Sequence, residues 1–178
     1  IILGLIKTDR NSILVDGKSI YDNLYGWYDL IGYVPQQITI IEDTIKNNIL
    51  FGKEDNEINQ QKIEELINIM NLTSFINSKK ERLNRIISEK ASNISGGEVQ
   101  RIAICRALLH DPEIIIFDEA TSSLDPINES KILDTIKKFD EKTMFFVSHK
   151  RSSLTYCDKV YELKDNKLTL KIHEKFQK

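Results

Sequence analysis

The chain has 178 residues, which is enough for one domain with its own hydrophobic core, and we expect one compact unit. Its 25 Lys and Arg nearly balance its 27 Asp and Glu, and the two signs are interleaved, which argues against a nucleic-acid-binding or polybasic membrane surface. No apolar stretch approaches the roughly 20 residues of a membrane-spanning helix, so we expect membrane association only through a partner or a segment outside this sequence.

The amino-terminal segment shows two local patterns. Residues 1–7 are apolar without alternation and residues 8–12 are polar, which predicts the end of a buried helix followed by a turn. Asp16-Gly17 then lies between the apolar residues 13–15 and the pair Ser19-Ile20, and an Asp-Gly pair in this setting favours a tight hairpin turn.

A short apolar run and a polar helical stretch come next. Residues 30–34 are apolar and end at Pro35, which is typical of a buried strand that delivers Gln36 to a loop. From residue 53 to about residue 92 the sequence is polar with apolar residues at helical spacing, so we predict a helical subdomain. The apolar residues with this spacing are Ile63, Leu66, Ile67 and Met70.

The second half of the chain alternates between helix and strand patterns. We predict helices over residues 96–110 and 127–139, and strands over residues 113–117 and 144–147. Strands that alternate with helices of this length imply parallel βαβ crossovers. The predicted fold class is therefore α/β, with a mainly parallel sheet flanked by helices.

Two acidic residues end the strand pattern at residues 113–117. Asp118 and Glu119 are expected at the carboxyl end of this strand, where open α/β sheets bind ligands. Because successive side chains of a strand point to opposite faces, one acid can hold magnesium while the other orients or deprotonates a water molecule. Alternatively the pair caps the next helix, and the two residues by themselves favour neither interpretation.

The segment Ser95-Gly96-Gly97-Glu98 begins the helix predicted over residues 96–110. Ser followed three residues later by Glu is a capping box, which is a sufficient structural reason for both residues. It does not explain the glycines, because glycine inside a helix costs roughly 1 kcal/mol relative to alanine. We therefore expect another group to approach this backbone closely, and free amides at a helix amino end suit a phosphate. The helix is predicted to bury Val99, Ile102, Ala103 and Leu108.

These segments resemble the motifs of ATP-binding cassette (ABC) proteins. Residues 94–108 resemble the signature motif and its helix, and residues 114–119 resemble the Walker B strand with its catalytic glutamate. Ser122-Ser123-Leu124-Asp125 is similar to the D-loop, after which Pro126 is expected to begin a helix capped by Asp125. Residues 33–36 resemble the Q-loop and residues 147–150 the segment of the switch histidine, so the motifs occur in the family's order.

The resemblance implies a P-loop NTPase core that acts as a pair of cassettes with ATP and Mg²⁺. Each ATP would lie between the phosphate loop of one cassette and the signature motif of the other. Glu119 would polarise the attacking water, and His149 would contact the γ-phosphate. The implied catalytic residues are Glu119, His149 and Gln36, the implied magnesium residues are Asp118 and Gln36, and the implied residues at the partner's nucleotide are Ser95, Gly96, Gly97, Glu98 and Asp125.

The resemblance also implies a domain organisation and a subtype. One ATPase domain covers residues 1–178, with its core at residues 1–52 and 111–178 and a helical subdomain at about 53–110. Trp27 and residues 43–52 are similar to the exporter class, whose membrane spans are usually fused to the cassette, and residues 87–91 keep the acid of the exporter pattern at Glu89 but lack its glycines. The implied protein is an exporter or flippase on the cytoplasmic face of the inner membrane, with transmembrane domains and a second cassette as partners and no nucleic acid.

Gly17-Lys18-Ser19 is similar to the end of a phosphate-binding loop, but two observations oppose that assignment. The pattern needs a glycine where this sequence has Ser12, and the tripeptide lies in the predicted hairpin rather than between a strand and a helix. We therefore expect the true loop a few residues upstream of Ile1 in a longer protein, and the domain to be incomplete at its amino end. We expect the longer protein to hydrolyse ATP and the present chain to bind it weakly.

The sequence opposes two other functions. A regulatory module derived from a cassette, which binds a partner cassette without hydrolysing ATP, is opposed by the presence of both Glu119 and His149. A cassette ATPase of chromosome maintenance or DNA repair carries a long coiled-coil insertion, and the roughly 60 residues between Gln36 and Ser95 leave no space for one.

Overall fold

The computed structural model describes residues 1–52, 60–88, 91–122, 124–165 and 167–171.

At the amino end, residues 1–7 form turns, so the prediction of a buried helix end is wrong there. The N–H of Gly4 donates to the carbonyl of Ile1 in a turn. Gly4 has φ 73°, in the left-handed region, and a right-handed helix cannot continue through a residue with this backbone angle. Leu5 and Ile6 are consequently exposed, and the segment is attached through Ile2, whose carbonyl accepts a hydrogen bond from Trp27 Nε1 at 3.1 Å.

The predicted hairpin is confirmed. Strand β1 (Leu14–Val15) pairs antiparallel with β2 (Lys18–Ser19). Asp16 and Gly17 have φ values of 51° and 78°, and two left-handed residues in succession are what a two-residue hairpin turn requires. Gly17-Lys18-Ser19 therefore lies in a hairpin, with Lys18 and Ser19 in β2, as the sequence predicted.

A short helix not predicted from the sequence follows a 3₁₀ turn at Ile20–Asp22. Helix α1 (Leu24–Asp29) is capped by Asn23, whose side-chain oxygen accepts a hydrogen bond from the Gly26 N–H at 3.0 Å. With only six residues, α1 is too short to show a helical apolar period in the sequence. It leads directly into strand β3 (Ile31–Val34).

The central sheet has three parallel strands, as predicted. Its order is β3, then β4 (Ile114–Asp118), then β5 (Thr143–Val147), and α6 (Pro126–Ile136) forms the crossover from β4 to β5. Val34 pairs with Phe117, and Asp118 pairs with Val147, so the carboxyl ends of the three strands meet at one edge. This register brings the segments that follow the three strands together.

Helices cover the sheet and form one continuous core with it. They are α2 (Ile45–Leu50), α3 (Gln60–Ile69), α4 (Thr73–Asn77) and α5 (Gly96–Leu108), with a 3₁₀ turn at Arg82–Asn84. The apolar residues that have helical spacing in this stretch are all buried, namely Ile63, Leu66, Ile67 and Met70. The core runs from Val34 and Ile115 of the sheet through Ile104 of α5 to Leu66 of α3.

Helix α5 is more deeply buried than its predicted stripe. Gln100, Ile104, Cys105 and Ala107 are buried as well as the predicted Ile102, Ala103 and Leu108, whereas Val99 is half-buried. A Cβ added to Gly32 of β3 would lie 2.5 Å from the carbonyl oxygen of Ala107, so glycine is required for this helix to pack directly on the strand.

The last elements form a separate hairpin. After α7 (Arg151–Leu154), strand β6 (Val160–Lys164) pairs antiparallel with β7 (Lys167–Lys171), and in the described part of the chain these strands pair only with each other. Across the described ranges, none of the helices has both the length and the apolarity needed to cross a bilayer.

Candidate functional site

Three predicted catalytic side chains meet at the carboxyl edge of the central sheet. Gln36 Nε2 donates a hydrogen bond to Glu119 Oε2 at 2.8 Å, and His149 Nε2 lies 3.1 Å from Glu119 Oε1. Each residue follows a different strand of the sheet, so the parallel register accounts for their meeting. The imidazole of His149 is 88% exposed, which leaves it accessible to a bound ligand.

The backbone at Glu119 turns sharply out of β4. Glu119 has φ 47°, in the left-handed region that non-glycine residues rarely adopt, and its N–H donates to the carbonyl of Val147 at 2.8 Å. This bond extends the contact between β4 and β5 past the last strand residue. The turn carries the Glu119 carboxylate to His149, and unusual backbone conformations of this kind are concentrated at functional sites.

Asp118 has a different environment from its neighbour. Tyr33 Oη donates to Asp118 Oδ2 at 2.9 Å, and the pKa of Tyr33 is raised by burial first and then by the hydrogen bond to the Asp118 carboxylate and its charge. The two acids therefore have separate partners, as two different roles require. Neither caps the next helix, because the N-cap of α6 is Asp125, and the capping alternative is not realised.

The predicted magnesium pair, Asp118 and Gln36, is only partly brought together. The Gln36 amide bonds to Glu119, and the hydrogen bond found at Asp118 comes from Tyr33. Among the residues that the structure describes, no group of three or more His, Cys, Asp or Glu side chains is arranged to hold a metal ion. Mg²⁺ usually takes one or two protein carboxylates together with substrate phosphates and water, so the strand-end Asp118 with the amide oxygen of Gln36, which follows the neighbouring strand β3, fits this ion.

The signature segment begins α5 with the predicted capping box. The Ser95 side chain accepts from the Glu98 N–H, and Glu98 Oε2 accepts from the Ser95 N–H at 2.7 Å. A Cβ added to Gly96 would meet no atom of the described chain within 4 Å, and one added to Gly97 would meet only Asn128, at 3.8 Å. Packing within this chain therefore gives no reason for glycine at residue 96, and the backbone there is open to an external group.

Asp125 caps α6, as predicted, with Pro126 in the first turn. Its Oδ1 accepts from the N–H groups of Ile127 and Asn128 at 3.1 Å, and its Oδ2 accepts from Asn128 Nδ2 at 2.7 Å. These bonds, led by those from Asn128, lower the pKa of Asp125. Since Asn128 also faces Gly97, the amino ends of α5 and α6 are neighbours.

Arg106 was not selected from the sequence, yet it connects α5 to the segment after Gln36. Its Nε donates to the carbonyl of Asn48 and its Nη1 to that of Thr39, both at 3.0 Å, and its guanidinium lies 3.8 Å from the ring centroid of Phe51. Burial lowers the pKa of Arg106 to about 10. The signal in the sequence was an arginine within the otherwise apolar run of residues 102–108.

Two predicted features lie outside the described residues. These are Glu89, the acid of the exporter pattern, and Ser123, the second residue of the D-loop segment.

The comparison with protein families decides the family. The family model for the ABC transporter matches residues 1–122, more than half of the chain. The chain belongs to the ABC transporter family. The predicted family and the predicted α/β fold are both confirmed, and domains of this family bind ATP and are ATPases as a class.

Two relatives of the ABC chain are named as a flippase and as a transport ATP-binding protein. The ATP-dependent lipid A-core flippase 2 of Colwellia psychrerythraea is 35% identical over 170 residues, which cover 94% of this chain and 29% of the flippase. The lactococcin-G-processing and transport ATP-binding protein of Lactococcus lactis is 40% identical over 133 residues, which cover 75% of this chain and 19% of that protein.

A solved structure shows the same fold. The structure of a bacterial Atm1-family ABC exporter with ATP bound superposes with a TM-score of 0.80 at 28% identity, over 91% of this chain and 29% of that one. The ABC chain thus spans less than a third of the length of each of these three proteins.

Proposed function

We propose that this ABC chain is the ATP-hydrolysing part of an exporter or flippase and that Glu119 activates the attacking water. The observation that carries the proposal is the contact of Gln36 and His149 with the two oxygens of the Glu119 carboxylate. A carboxylate contacted by side chains from two separate loops is held in one orientation, which suits it to accept a proton from a water molecule. The related flippase and exporter support the subtype.

Hydrolysis at this site would depend on positioning and charge, as in other phosphoryl-transfer enzymes. Glu119 orients the water and accepts its proton, while Gln36 and His149 hold the carboxylate until the nucleotide arrives. The exposed His149 ring then donates toward the γ-phosphate. Asp118, with Gln36, would hold Mg²⁺, which supplies positive charge to the phosphate oxygens when bound.

The signature segment is proposed to serve the nucleotide of a second cassette. Support comes from the open backbone at Gly96 and from the free amides at the amino end of α5, which suit an anion. Ser95 and Glu98 bond to each other and not to the Glu119 cluster, so the described contacts form two separate groups. Asp125 would contact the partner cassette from the neighbouring end of α6.

Transport would require membrane-spanning segments, and the described residues of this ABC chain contain no helix of that kind. We propose that they are fused upstream and that the cassette lies on the cytoplasmic face of the membrane. The Arg106 contacts support a route for coupling, because they bind the segment after Gln36 to the helix of the signature motif.

The experiment replaces Glu119 by Gln in the full-length protein that contains this chain. We expect ATP turnover to fall by roughly 10²- to 10⁴-fold, since that is the usual contribution of a general base. The matched control is Glu113→Gln, which changes an exposed glutamate at the opposite end of the same strand and should leave turnover unchanged.

The same experiment tests the alternative function. A full-length protein whose turnover is unaffected by Glu119→Gln would be a binding or regulatory module and not an ATPase that uses this carboxylate. Measurement of phosphate release at saturating ATP distinguishes the two outcomes.

A further inference from the structure

A buried acid–base pair lies beside the cluster of Gln36, Glu119 and His149. Glu129 of α6 is only 3% exposed. Its Oε1 accepts hydrogen bonds from Thr121 Oγ1 at 2.9 Å and from Ser153 Oγ at 3.1 Å, and its Oε2 lies 3.4 Å from Lys150 Nζ. Because a buried carboxylate is costly unless it is paired and hydrogen-bonded, this set of donors is needed at that position.

The lysine of the pair connects the carboxylate to the D-loop segment. Lys150 Nζ donates to the carbonyls of Thr121 and Leu124 at 2.9 and 3.0 Å, in addition to Glu129. An ammonium has three protons, so these three acceptors use its full donor capacity. Both carbonyls belong to the loop that runs from Glu119 to the α6 cap at Asp125.

The pair also fixes the segment that carries the switch histidine. Lys150 follows His149 directly, and its N–H donates to Ser148 Oγ at 3.0 Å. Ser148 Oγ in turn donates to Ser153 Oγ at 3.3 Å, and Ser153 donates to Glu129. The two sequence neighbours of His149, Ser148 and Lys150, are therefore both held by this network.

We propose that the Glu129–Lys150 pair is a positioning device for hydrolysis, which rests on the function proposed above. It holds the loop between Glu119 and Asp125 and the segment around His149 as one unit on α6. Movement of Asp125 against a partner cassette would then reach the contact between His149 and Glu119 through the lysine. Neither member of the pair touches the reacting atoms, so both act through these other residues.

Lys142, at the other end of β5, makes contacts of the same kind as Lys150 and can serve as its control. Lys142 Nζ donates to Asp111 Oδ1 at 2.8 Å and to the carbonyl of Pro112 at 2.7 Å, and its side chain is 9% exposed. Lys142 thus also pairs with a carboxylate and a loop carbonyl. It precedes β5, whereas Lys150 follows it, so only Lys150 is next to the candidate site.

The test compares Lys150→Met, Lys150→Arg and Lys142→Met in the full-length protein. For each variant, kcat and KM for ATP are measured per folded protein, with the folded fraction taken from circular dichroism and the melting temperature. We expect Lys150→Met to lower kcat by roughly 10- to 100-fold with little change in KM, which is the size of effect that small misplacements of catalytic groups produce. Lys150→Arg, which keeps the charge and the donors, should recover a large part of kcat, and Lys142→Met should retain the wild-type kcat.

Equal kcat values for Lys150→Met and Lys142→Met, with only the melting temperature lowered, would show that the pair has a purely structural role and would overturn the proposal. Should the single variant not fold, the double variant Glu129→Gln/Lys150→Met leaves no charge unpaired and takes its place, with the same expected loss of kcat. Wild-type protein without ATP turnover would instead overturn the proposed function itself. The two failures are therefore distinguishable.

Discussion

At the scale of single residues, the Glu119 carboxylate is held by side chains that arrive on two other loops. Gln36 and His149 each contact one of its oxygens, and the left-handed backbone of Glu119 brings the carboxylate to them. The contact from Gln36 is a hydrogen bond, and the His149 ring that makes the other contact is largely exposed. The parallel register of the three strands therefore brings these three side chains into contact.

Two glycines give opposite predictions for the same substitution. Gly96→Ala should leave the free energy of unfolding unchanged or raise it, because the added Cβ meets nothing within 4 Å in the described chain, while ATP turnover of the full-length protein should fall. Gly32→Ala should lower the free energy of unfolding by about 1–3 kcal/mol or more, because its Cβ would lie 2.5 Å from the Ala107 carbonyl oxygen. Denaturant unfolding and phosphate release check both. Normal turnover in Gly96→Ala would contradict an external contact at this backbone.

The Asp111–Lys142 pair predicts an acid-dependent contribution to stability. The hydrogen bond from Lys142 lowers the pKa of Asp111 in the folded chain, and a lowered pKa means that the stabilisation is present above the unfolded value of about 3.9 and is lost as the pH falls through the folded value. Asp111 is 68% exposed, so we expect less than about 1 kcal/mol. The difference in stability between wild type and Asp111→Asn should shrink between pH 6 and pH 3 in denaturant titrations. A difference that does not depend on pH would argue against this contribution.

At the scale of secondary structure, α5 connects the signature segment to the segment that follows Gln36. Its amino end presents the signature segment, and near its carboxyl end Arg106 holds the carbonyls of Thr39 and Asn48. Asn48 is fully buried and itself accepts from the Ile41 N–H and donates to the carbonyl of Ile41. The segment between Gln36 and α2 is thus fixed to the helix by backbone contacts rather than by packing alone.

Loss of the Arg106 contacts should loosen this segment selectively. Arg106→Ala removes a charged donor from two carbonyls, and each hydrogen bond to a charged group contributes roughly 1.5–3 kcal/mol. We expect faster amide hydrogen exchange at residues 38–51 and a lower melting temperature. Arg10→Ala, which breaks an exposed ion pair with Asp22, is the control and should cost less than about 1 kcal/mol. Unchanged exchange at residues 38–51 would show that Arg106 does not fix the segment.

At the scale of the whole molecule, the core is continuous but two strand surfaces are not covered. The core joins the sheet to α3 through α5. In contrast, Phe145 and Val147 of β5 and four residues of the last hairpin are exposed. The exposed hairpin residues are Tyr161, Leu163, Leu168 and Leu170. Exposed apolar residues on a strand pair are a surface for association with another chain or another part of the same protein.

The hairpin surface should make the present chain self-associate in isolation. Leu163 and Leu168 lie directly opposite each other on β6 and β7, and they are 70% and 71% exposed. Replacing both by Thr, which keeps a high strand propensity, should reduce the concentration-dependent light scattering without lowering the melting temperature. The control is Ile86→Thr, a single apolar residue of similar exposure outside the hairpin. Scattering that persists in the double variant would place the association elsewhere.

Local patterns in the sequence determined the parts of this protein that depend on near neighbours. Turns, caps and apolar periods are local properties, so residue types at short spacing predicted them. They predicted the Asp16-Gly17 turn, the Ser95–Glu98 capping box, the Asp125 cap and the strands of the parallel sheet. The order of the motifs also predicted the ABC family.

Only the tertiary structure decided which side chains meet. Gln36 and His149 contact Glu119, and Arg106, Glu129 and Lys150 connect distant loops. These contacts depend on strand register and on burial across many intervening residues. The amino-terminal segment shows the converse, since its apolar run predicted a buried helix although Gly4 turns the chain and leaves Leu5 and Ile6 exposed. A short apolar run without a period has the same appearance in a helix, a strand or a turn, so its conformation is selected by what it packs against.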